Sequence, residues 1–322
     1  MRILITGVHG FVGTNLVKEF KADNEIYGLD IVSPNKEGVV NTYSWETLDK
    51  GEIPPVDAII HLAGKAHDTK NQSAAEAYFA VNTELTKKIF DYFLASPTAK
   101  RFIFFSSVKA AADSVPDGTT LTEDVVPTPI GPYGESKIRA EEYIREKFDF
   151  ADNSSDKQVY ILRPCMIHGP GNKGNLNLLY SVIAKGVPYP LGAYDNLRTF
   201  TSIDNLKFII RNLLTSSEVA SGIYHIADDD ALSTKELVHA IGEGIGKKAM
   251  IWSVPKWIIN CVAVVGDKIH LPLNSERLRK LTENYVVTNN KIKQALGVEH
   301  LPVKAAEGIR RTIESFKNQE NK

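Results

Sequence analysis

Along the first half of the chain, short apolar runs alternate with longer stretches whose apolar residues recur every three or four positions. The runs at Arg2–Thr6, Glu25–Asp30, Ala58–Leu62, Arg101–Ser106 and Val159–Arg163 are too short for helices, so they predict strands. Between them, Phe11–Ala22, Ala74–Leu94 and Tyr133–Phe148 carry helical spacing, and in the second Ala77, Val81, Leu85 and Ile89 step by four along one face. This alternation predicts an α/β fold with a doubly wound parallel sheet flanked by crossover helices.

After Arg163-Pro164 the texture changes to Gly-, Pro- and Asn-rich loops between shorter helices, expected at Asn175–Lys185, Asn205–Leu214, Thr234–Ile241 and Val303–Phe316. Residues 1–165 are therefore expected to form one domain and 166–322 mainly a second, smaller one. Strand signals at Thr199–Ile203 and Gly222–Ile226 would return to the sheet or extend it. The longest apolar run, Trp257 to Val265, is interrupted by Asn260 and bounded by Lys256 and Asp267. It falls short of the roughly 20 residues that span a bilayer and reads as a buried or capping helix.

The length of 322 residues fits two domains or one large α/β unit, and 38 Lys plus Arg against 39 Asp plus Glu leave a formal net charge of −1. Such a balance offers no global attraction for nucleic acid or an acidic membrane. Cys165 and Cys261 are too few for a disulfide framework, which fits a reducing compartment. The N-terminal Met-Arg-Ile-Leu-Ile-Thr-Gly lacks the apolar core of an export signal, so a cytoplasmic location is expected. His9, His61 and His168 lack metal-ligand spacing and are read as structural; no metal site is expected.

The strongest local signal is Thr6-Gly7-Val8-His9-Gly10-Phe11-Val12-Gly13, directly after the first strand and opening the first helix. Glycines at this spacing permit a tight turn, close approach to a pyrophosphate and close helix–strand packing, with the phosphates at the positive helix N-terminus. Asp30 ends the second strand, where a carboxylate accepts hydrogen bonds from ribose hydroxyls and repels a 2′-phosphate. No Arg follows in Ile31-Val32-Ser33-Pro34-Asn35 to offset that repulsion, so NAD is expected rather than NADP.

Tyr133-Gly134-Glu135-Ser136-Lys137 opens a helix behind Pro132. The spacing sets phenol and ammonium on one face, where the cation is expected to lower the Tyr pKa, as a general base for alcohol–ketone interconversion requires. Ser106-Ser107 closes a strand whose C-terminal end should face the same crevice, and Ser107 is the hydroxyl chosen to bind the substrate oxygen.

Together these residues resemble the extended short-chain dehydrogenase/reductase superfamily, in particular the NAD-dependent epimerase/dehydratase group that acts on nucleotide sugars. The resemblance runs from Met1 to about Phe316 and includes His61-Leu62-Ala63-Gly64, Val81-Asn82, Arg163-Pro164, His168-Gly169-Pro170-Gly171 and Arg198 before Asp204. It implies a Rossmann-type fold, a catalytic trio of Ser107, Tyr133 and Lys137, and an NAD site. That site would be built from Gly7, Gly10, Phe11, Val12, Gly13, Asp30, Leu62, Ala63, Gly64, Asn82 and Pro164 besides Tyr133 and Lys137. It further implies that Asn175, Leu176 and Arg198, with Ser107, contact a nucleotide-diphosphate sugar, expected to be UDP-linked. Two copies would pair as a homodimer through the helices 74–94 and 133–148.

Two departures bear on the reaction. Sugar 4,6-dehydratases of this group carry Asp-Glu after the catalytic Ser or Thr, whereas this chain has Val108-Lys109, so dehydration lacks an evident proton carrier. Met166 stands where galactose epimerases present Asn to the sugar. The leading expectation is a nucleotide-sugar 4-epimerase. The alternatives are an NAD(P)H-dependent reductase of a nucleotide 4-keto-6-deoxy sugar in surface-polysaccharide synthesis and a non-catalytic dinucleotide sensor.

Overall fold

The computed structural model describes residues 1–65, 74–152, 155–172, 174–269 and 274–320. The first part comprises β1 (Arg2–Thr6), α1 (Phe11–Phe20), β2 (Glu25–Leu29), β3 (Asn41–Tyr43), α2 (Trp45–Asp49), β4 (Ala58–His61), α3 (Ala75–Tyr78) and a π-helical segment (Phe79–Glu84). There follow α4 (Leu85–Ala95), β5 (Arg101–Phe105), α5 (Val108–Ala111), α6 (Pro132–Lys147) and β6 (Gln158–Pro164). The remainder comprises β7 (Met166–His168), α7 (Asn175–Ala184), β8 (Leu197–Arg198), β9 (Phe200–Ser202), α8 (Ile203–Thr215), β10 (Gly222–Ile226) and β11 (Leu232–Ser233). It closes with α9 (Thr234–Ile245), α10 (Lys256–Ile269), α11 (Ser275–Thr282), α12 (Asn290–Leu296) and α13 (Ala305–Glu320).

Seven parallel strands form one sheet in the order β10-β6-β5-β4-β1-β2-β3. The chain runs outward from β1 to β3 and then crosses back to β4, so the order reverses at β1. In such sheets the crevice beyond the strand C-termini at that reversal is the ligand site. Alternate residues of each strand face opposite layers. Ile3, Ile5 and Ile103 pack with Leu16, Phe20, Leu206 and Ile209, whereas Leu4, Ile59, Phe102 and Phe104 pack with Ile89, Phe90, Phe93 and Ile144. A separate apolar cluster joins Leu176, Tyr180, Leu191, Val238, Ile241, Ile309 and Ile313. Burial on both sheet faces explains why β1, β4, β5 and β6 read as continuous apolar runs.

Two expectations change and one is narrowed. The helix expected over 74–94 is broken by the π-helical turn Phe79–Glu84, which carries the buried Asn82. The strand signal at 199–203 condenses to β9, which pairs with β7 in a two-stranded ribbon, while β10 alone joins the main sheet beside β6. The run 257–265 lies within α10, which buries Ile259 and Ala263 and leaves Trp257, Val264 and Val265 exposed, so it caps the apolar cluster from outside.

Candidate active site

The turn after β1 is built around glycine. Gly7 has φ of 67°, and a Cβ there would stand 3.0 Å from the Ala63 nitrogen; at Gly13 it would stand 2.5 Å from the Gly7 oxygen. The turn therefore packs directly on the loop after β4, and α1 packs directly on the turn. Gly10 caps α1 without a side chain, and the first intrahelical bond is Thr14 N–H to Gly10 O at 2.9 Å. The N–H groups of Phe11, Val12 and Gly13 precede that bond and end the helix dipole, which is the chemistry a pyrophosphate requires. These residues fit a dinucleotide: three N–H groups at the helix start have no intrahelical acceptor, and the glycines let the turn close on Ala63 and on α1 without a side chain between.

Asp30 closes the rim of this cradle. Its Oδ2 accepts the His9 N–H at 3.1 Å and its Oδ1 the Ile31 N–H at 2.8 Å, which fixes the carboxylate beside the glycine turn. Lys36, absent from the sequence expectation, donates from Nζ to Thr14 Oγ1 at 2.8 Å, and burial lowers its pKa while the neighbouring Asp30 raises it. Its distance of six residues from Asp30 hides it from a reading of the five residues that follow the aspartate. Lys36→Met is expected to weaken NADPH binding several-fold with little change for NADH, and Asp30→Ala to narrow any preference for NADH. Fluorescence titration with both cofactors measures each effect.

The loop after β4 is held by a buried hydrogen-bond chain. Thr86 Oγ1 donates to the Asn82 carbonyl at 2.7 Å, so it accepts from His61 Nε2 at 2.9 Å. His61 Nδ1 then accepts from Thr6 Oγ1 at 2.7 Å, and that hydroxyl oxygen accepts the Leu62 and Ala63 N–H groups at 3.1 and 2.9 Å. Burial drives the His61 pKa well below its usual value, keeping the ring neutral as this chain demands. Asn82 accepts Lys65 N–H at 2.7 Å and donates to the Lys65 carbonyl at 3.1 Å and to Ser136 Oγ at 3.0 Å. The π-helical turn thus stitches the loop to α6, and π-bulges are frequent at functional sites.

Ser107, Tyr133 and Lys137 converge at the C-terminal end of β5. Ser107 caps α5, accepting the Lys109 N–H at 3.2 Å, and its hydroxyl hydrogen-bonds the Tyr133 phenol. The neighbouring Ser106 points the other way, to the buried Glu141. Lys137 Nζ donates to the Phe105 carbonyl at 2.8 Å and lies 5.1 Å from the Phe104 ring centroid. A Cβ on Gly64 would stand 3.0 Å from Asn82 Oδ1 and 3.1 Å from that Nζ, so Gly64, Asn82 and Lys137 meet at one point.

The electrostatics differ from the expectation that the ammonium lowers the phenol pKa. Burial holds the Tyr133 phenol above its ordinary value, the Ser107 hydrogen bond pulls it down, and Tyr78 adds to the rise. Burial brings Lys137 down to about 8, with Glu141 opposing. Lys137 directs a hydrogen bond to the Phe105 carbonyl at 2.8 Å, while Ser107 is the group that hydrogen-bonds the phenol.

At the far side, Pro164 ends β6 beside Ile226 of β10. Cys165 is buried, its Sγ 3.3 Å from Thr199 Oγ1, and burial pushes its thiol up to about 12. Asn15 Nδ2 donates to the Pro170 carbonyl at 3.0 Å, bringing the 168–171 loop against α1. Arg198 is 29% exposed, with Nη2 3.5 Å from Glu283 Oε1. Glu283 also meets Arg279 Nη1 at 3.2 Å. Lys109 donates to the Asp113 carbonyl at 2.5 Å and lies 4.4 Å from the Tyr285 ring centroid. Burial lowers the pKa of both Arg198 and Lys109.

Two substrate-side expectations need comment. Leu176 is only 1% exposed and packs in the apolar cluster with Tyr180, so its side chain serves the core and leaves only its backbone to a ligand. Asn175 begins α7, but its side chain lies outside the described residues.

Known proteins are similar to this chain along nearly its whole length. The chain is 29% identical to a UDP-glucose 4-epimerase of Vibrio cholerae over 333 residues, covering 99% of this chain and 97% of that protein. It is 27% identical to an N-acetyl-alpha-D-glucosaminyl-diphospho-ditrans,octacis-undecaprenol 4-epimerase of Escherichia coli O157:H7, covering 79% and 75%. The UDP-glucose 4-epimerase of Thermus thermophilus in complex with NAD shares the fold with a TM-score of 0.74 at 23% identity, covering 98% of this chain and 99% of that one. The family model for the NAD dependent epimerase/dehydratase family matches residues 3–227. With that match over most of its length, and with a glycine cradle and a Ser–Tyr–Lys cluster at one sheet edge, the chain belongs to the NAD dependent epimerase/dehydratase family.

Proposed function

We propose that this enzyme is an NAD-dependent 4-epimerase of a nucleotide-diphosphate sugar of the UDP-linked kind. The convergence of Ser107, Tyr133 and Lys137 beside the glycine cradle carries the reading, and the full-length similarity to a UDP-glucose 4-epimerase supports it. NAD, when bound, supplies the hydride acceptor and donor at sugar C4. Tyr133, once ionised to phenolate, takes the proton of the C4 hydroxyl and, as the phenol, returns it after the sugar has turned over in the pocket. Ser107 hydrogen-bonds the same oxygen, and its fixation by the Lys109 N–H keeps it there throughout. Lys137 anchors the floor of the site at the Phe105 carbonyl. Asp30 takes the ribose, and Arg198, released from Glu283, takes the diphosphate as a charge-assisted pair.

Dehydration at C5–C6 is not part of this proposal. Where that reaction needs carboxylates, the chain places Val108 and Lys109, and the nearby Asp113 is engaged by Lys109 and Arg279. The division at residue 165 into a cofactor-binding and a substrate-binding domain belongs to the same reading, with β10 returned to the first. So does pairing of two copies through α4 and α6, which sedimentation equilibrium checks. Among the described residues no helix is long and apolar enough to cross a membrane.

One observation favours a second reading. Lys36 beside Asp30 offers a cation to a 2′-phosphate, which suits a reductase that consumes NADPH. Relatives named GDP-6-deoxy-D-talose 4-dehydrogenase and GDP-6-deoxy-D-mannose reductase match at 24% and 22% identity. Incubation with UDP-hexoses and UDP-N-acetylhexosamines, with NAD and no reductant, separates the two. Interconversion of C4 epimers supports the epimerase. No interconversion, together with stoichiometric NADH or NADPH oxidation by a 4-keto sugar nucleotide, replaces it with the reductase.

A further inference from the structure

The proposed chemistry leaves one buried carboxylate unassigned. Glu141 is fully buried on α6, one turn beyond Lys137, and three chain segments meet at it. Ser106, adjacent to Ser107, donates its hydroxyl to Glu141 Oε1. Arg163, adjacent to Pro164 and 1% exposed, grips both carboxylate oxygens, with Nε at 3.0 and 3.2 Å and Nη2 at 2.6 Å. Residues flanking both Ser107 and Pro164 are therefore tied to the helix that carries Tyr133 and Lys137.

A buried ion pair is a poor device for stability alone, because desolvating both charges costs about what their attraction returns. Here the pair is also incompletely satisfied, since Arg163 Nη1 has no hydrogen-bond partner among the described residues. Even so paired, a carboxylate one helical turn from a desolvated ammonium has a different consequence: it opposes the loss of that ammonium's proton. We propose that Glu141 is a positioning residue, whose charge keeps Lys137 protonated within its buried setting while its two clamps hold the Ser107 and Pro164 segments in register with α6. The catalytic part of this statement rests on the proposed role of Lys137; the electrostatic part does not.

Among the described residues, the surroundings of Lys137 leave Glu141 as the anion that can do this. From its own helix it faces Tyr133 and Glu141; from β5, the Phe105 carbonyl and the Phe104 ring; from the β4 loop and the π-helical turn, Gly64 and Asn82 Oδ1; and from β4, the neutral His61. Beyond Glu141, Arg163 lies beside His225 of β10, whose ring is kept neutral by burial, its pKa about 3. Tyr133 is neutral until its phenol ionises, so Glu141 is the fixed negative charge. Consistently, it is the group that raises the Lys137 pKa against desolvation, leaving it about 8.

The sign follows. Removing the negative charge lowers the Lys137 pKa further, so the ammonium deprotonates at lower pH. The test is an NMR titration of the full-length protein labelled with ¹³C at lysine Cε, with the Lys137 signal assigned by its loss in Lys137→Met. The wild-type midpoint is expected at about 8, and in Glu141→Gln lower by about one unit or more. Because Glu141→Gln leaves the Arg163 charge buried and unpaired, the neutral double variant Glu141→Gln/Arg163→Gln is titrated as well and is expected to shift in the same direction. Ser106→Ala, which removes a clamp and keeps the charge, should leave the midpoint near its wild-type value. An unchanged Lys137 midpoint in both Glu141 variants overturns the proposal. A midpoint that follows Glu141 while Lys137→Met retains full turnover supports the electrostatic role and retires the catalytic reading of Lys137 instead.

Discussion

Tyr133→Phe is expected to lower turnover by a factor of about 10²–10⁴, the usual contribution of a positioned proton carrier, while the affinity for NAD stays within about two-fold. The substitution removes one oxygen and keeps the ring that meets Tyr78 edge-on, with centroids 6.4 Å apart. Packing at the head of α6 should therefore persist. The lost atom is the one that Ser107 hydrogen-bonds, so the variant deletes the proton relay and little else. Initial rates on a nucleotide sugar, with calorimetric titration of NAD on the same preparation, separate the two effects. Near-wild-type turnover would remove Tyr133 from the mechanism.

Arg198→Ala should weaken binding of UDP by roughly 2–3 kcal/mol, the scale of a charge-assisted hydrogen bond lost from a partly buried site, and leave NAD affinity unchanged. Arg198 stands on the short β8–β11 ribbon, outside the seven-stranded sheet that holds the cofactor cradle, which is why the effect should be confined to one ligand. The variant should tolerate the change, since Glu283 keeps Arg279 as a counter-charge. Calorimetry with UDP decides it: equal affinities in variant and wild type would place Arg198 outside the site.

Much of this arrangement is legible in the residues because local patterns determine it. The apolar runs of β1, β4, β5 and β6 and the glycine turn need only neighbours in sequence to be recognised, and the structure places the four strands side by side in the sheet interior, with the turn directly after β1. Contacts between distant residues are less legible. By spacing, Asn82 is one more position in a regular helix, and only its hydrogen bonds to Lys65 and Ser136 explain the π-helical turn. Lys36, Glu141 and Glu283 are ordinary surface-type residues by composition, and each acquires meaning from a partner 22 or more positions away. Likewise the expected drop in the Tyr133 pKa rests on helical spacing alone, which says nothing of burial, and burial is what raises the phenol. Leu176 matches a ligand contact by position, yet its side chain faces the core of the second cluster.

The central claim is that hydride leaves sugar C4 and returns to the same carbon within one bound sugar. Its most direct test uses a UDP-sugar carrying deuterium at C4, incubated with the enzyme and NAD in ordinary water without added reductant. The account predicts both C4 epimers at equilibrium, each retaining the label at C4. An epimerised product that has exchanged its C4 deuterium for solvent hydrogen would contradict it, as would the absence of any epimer.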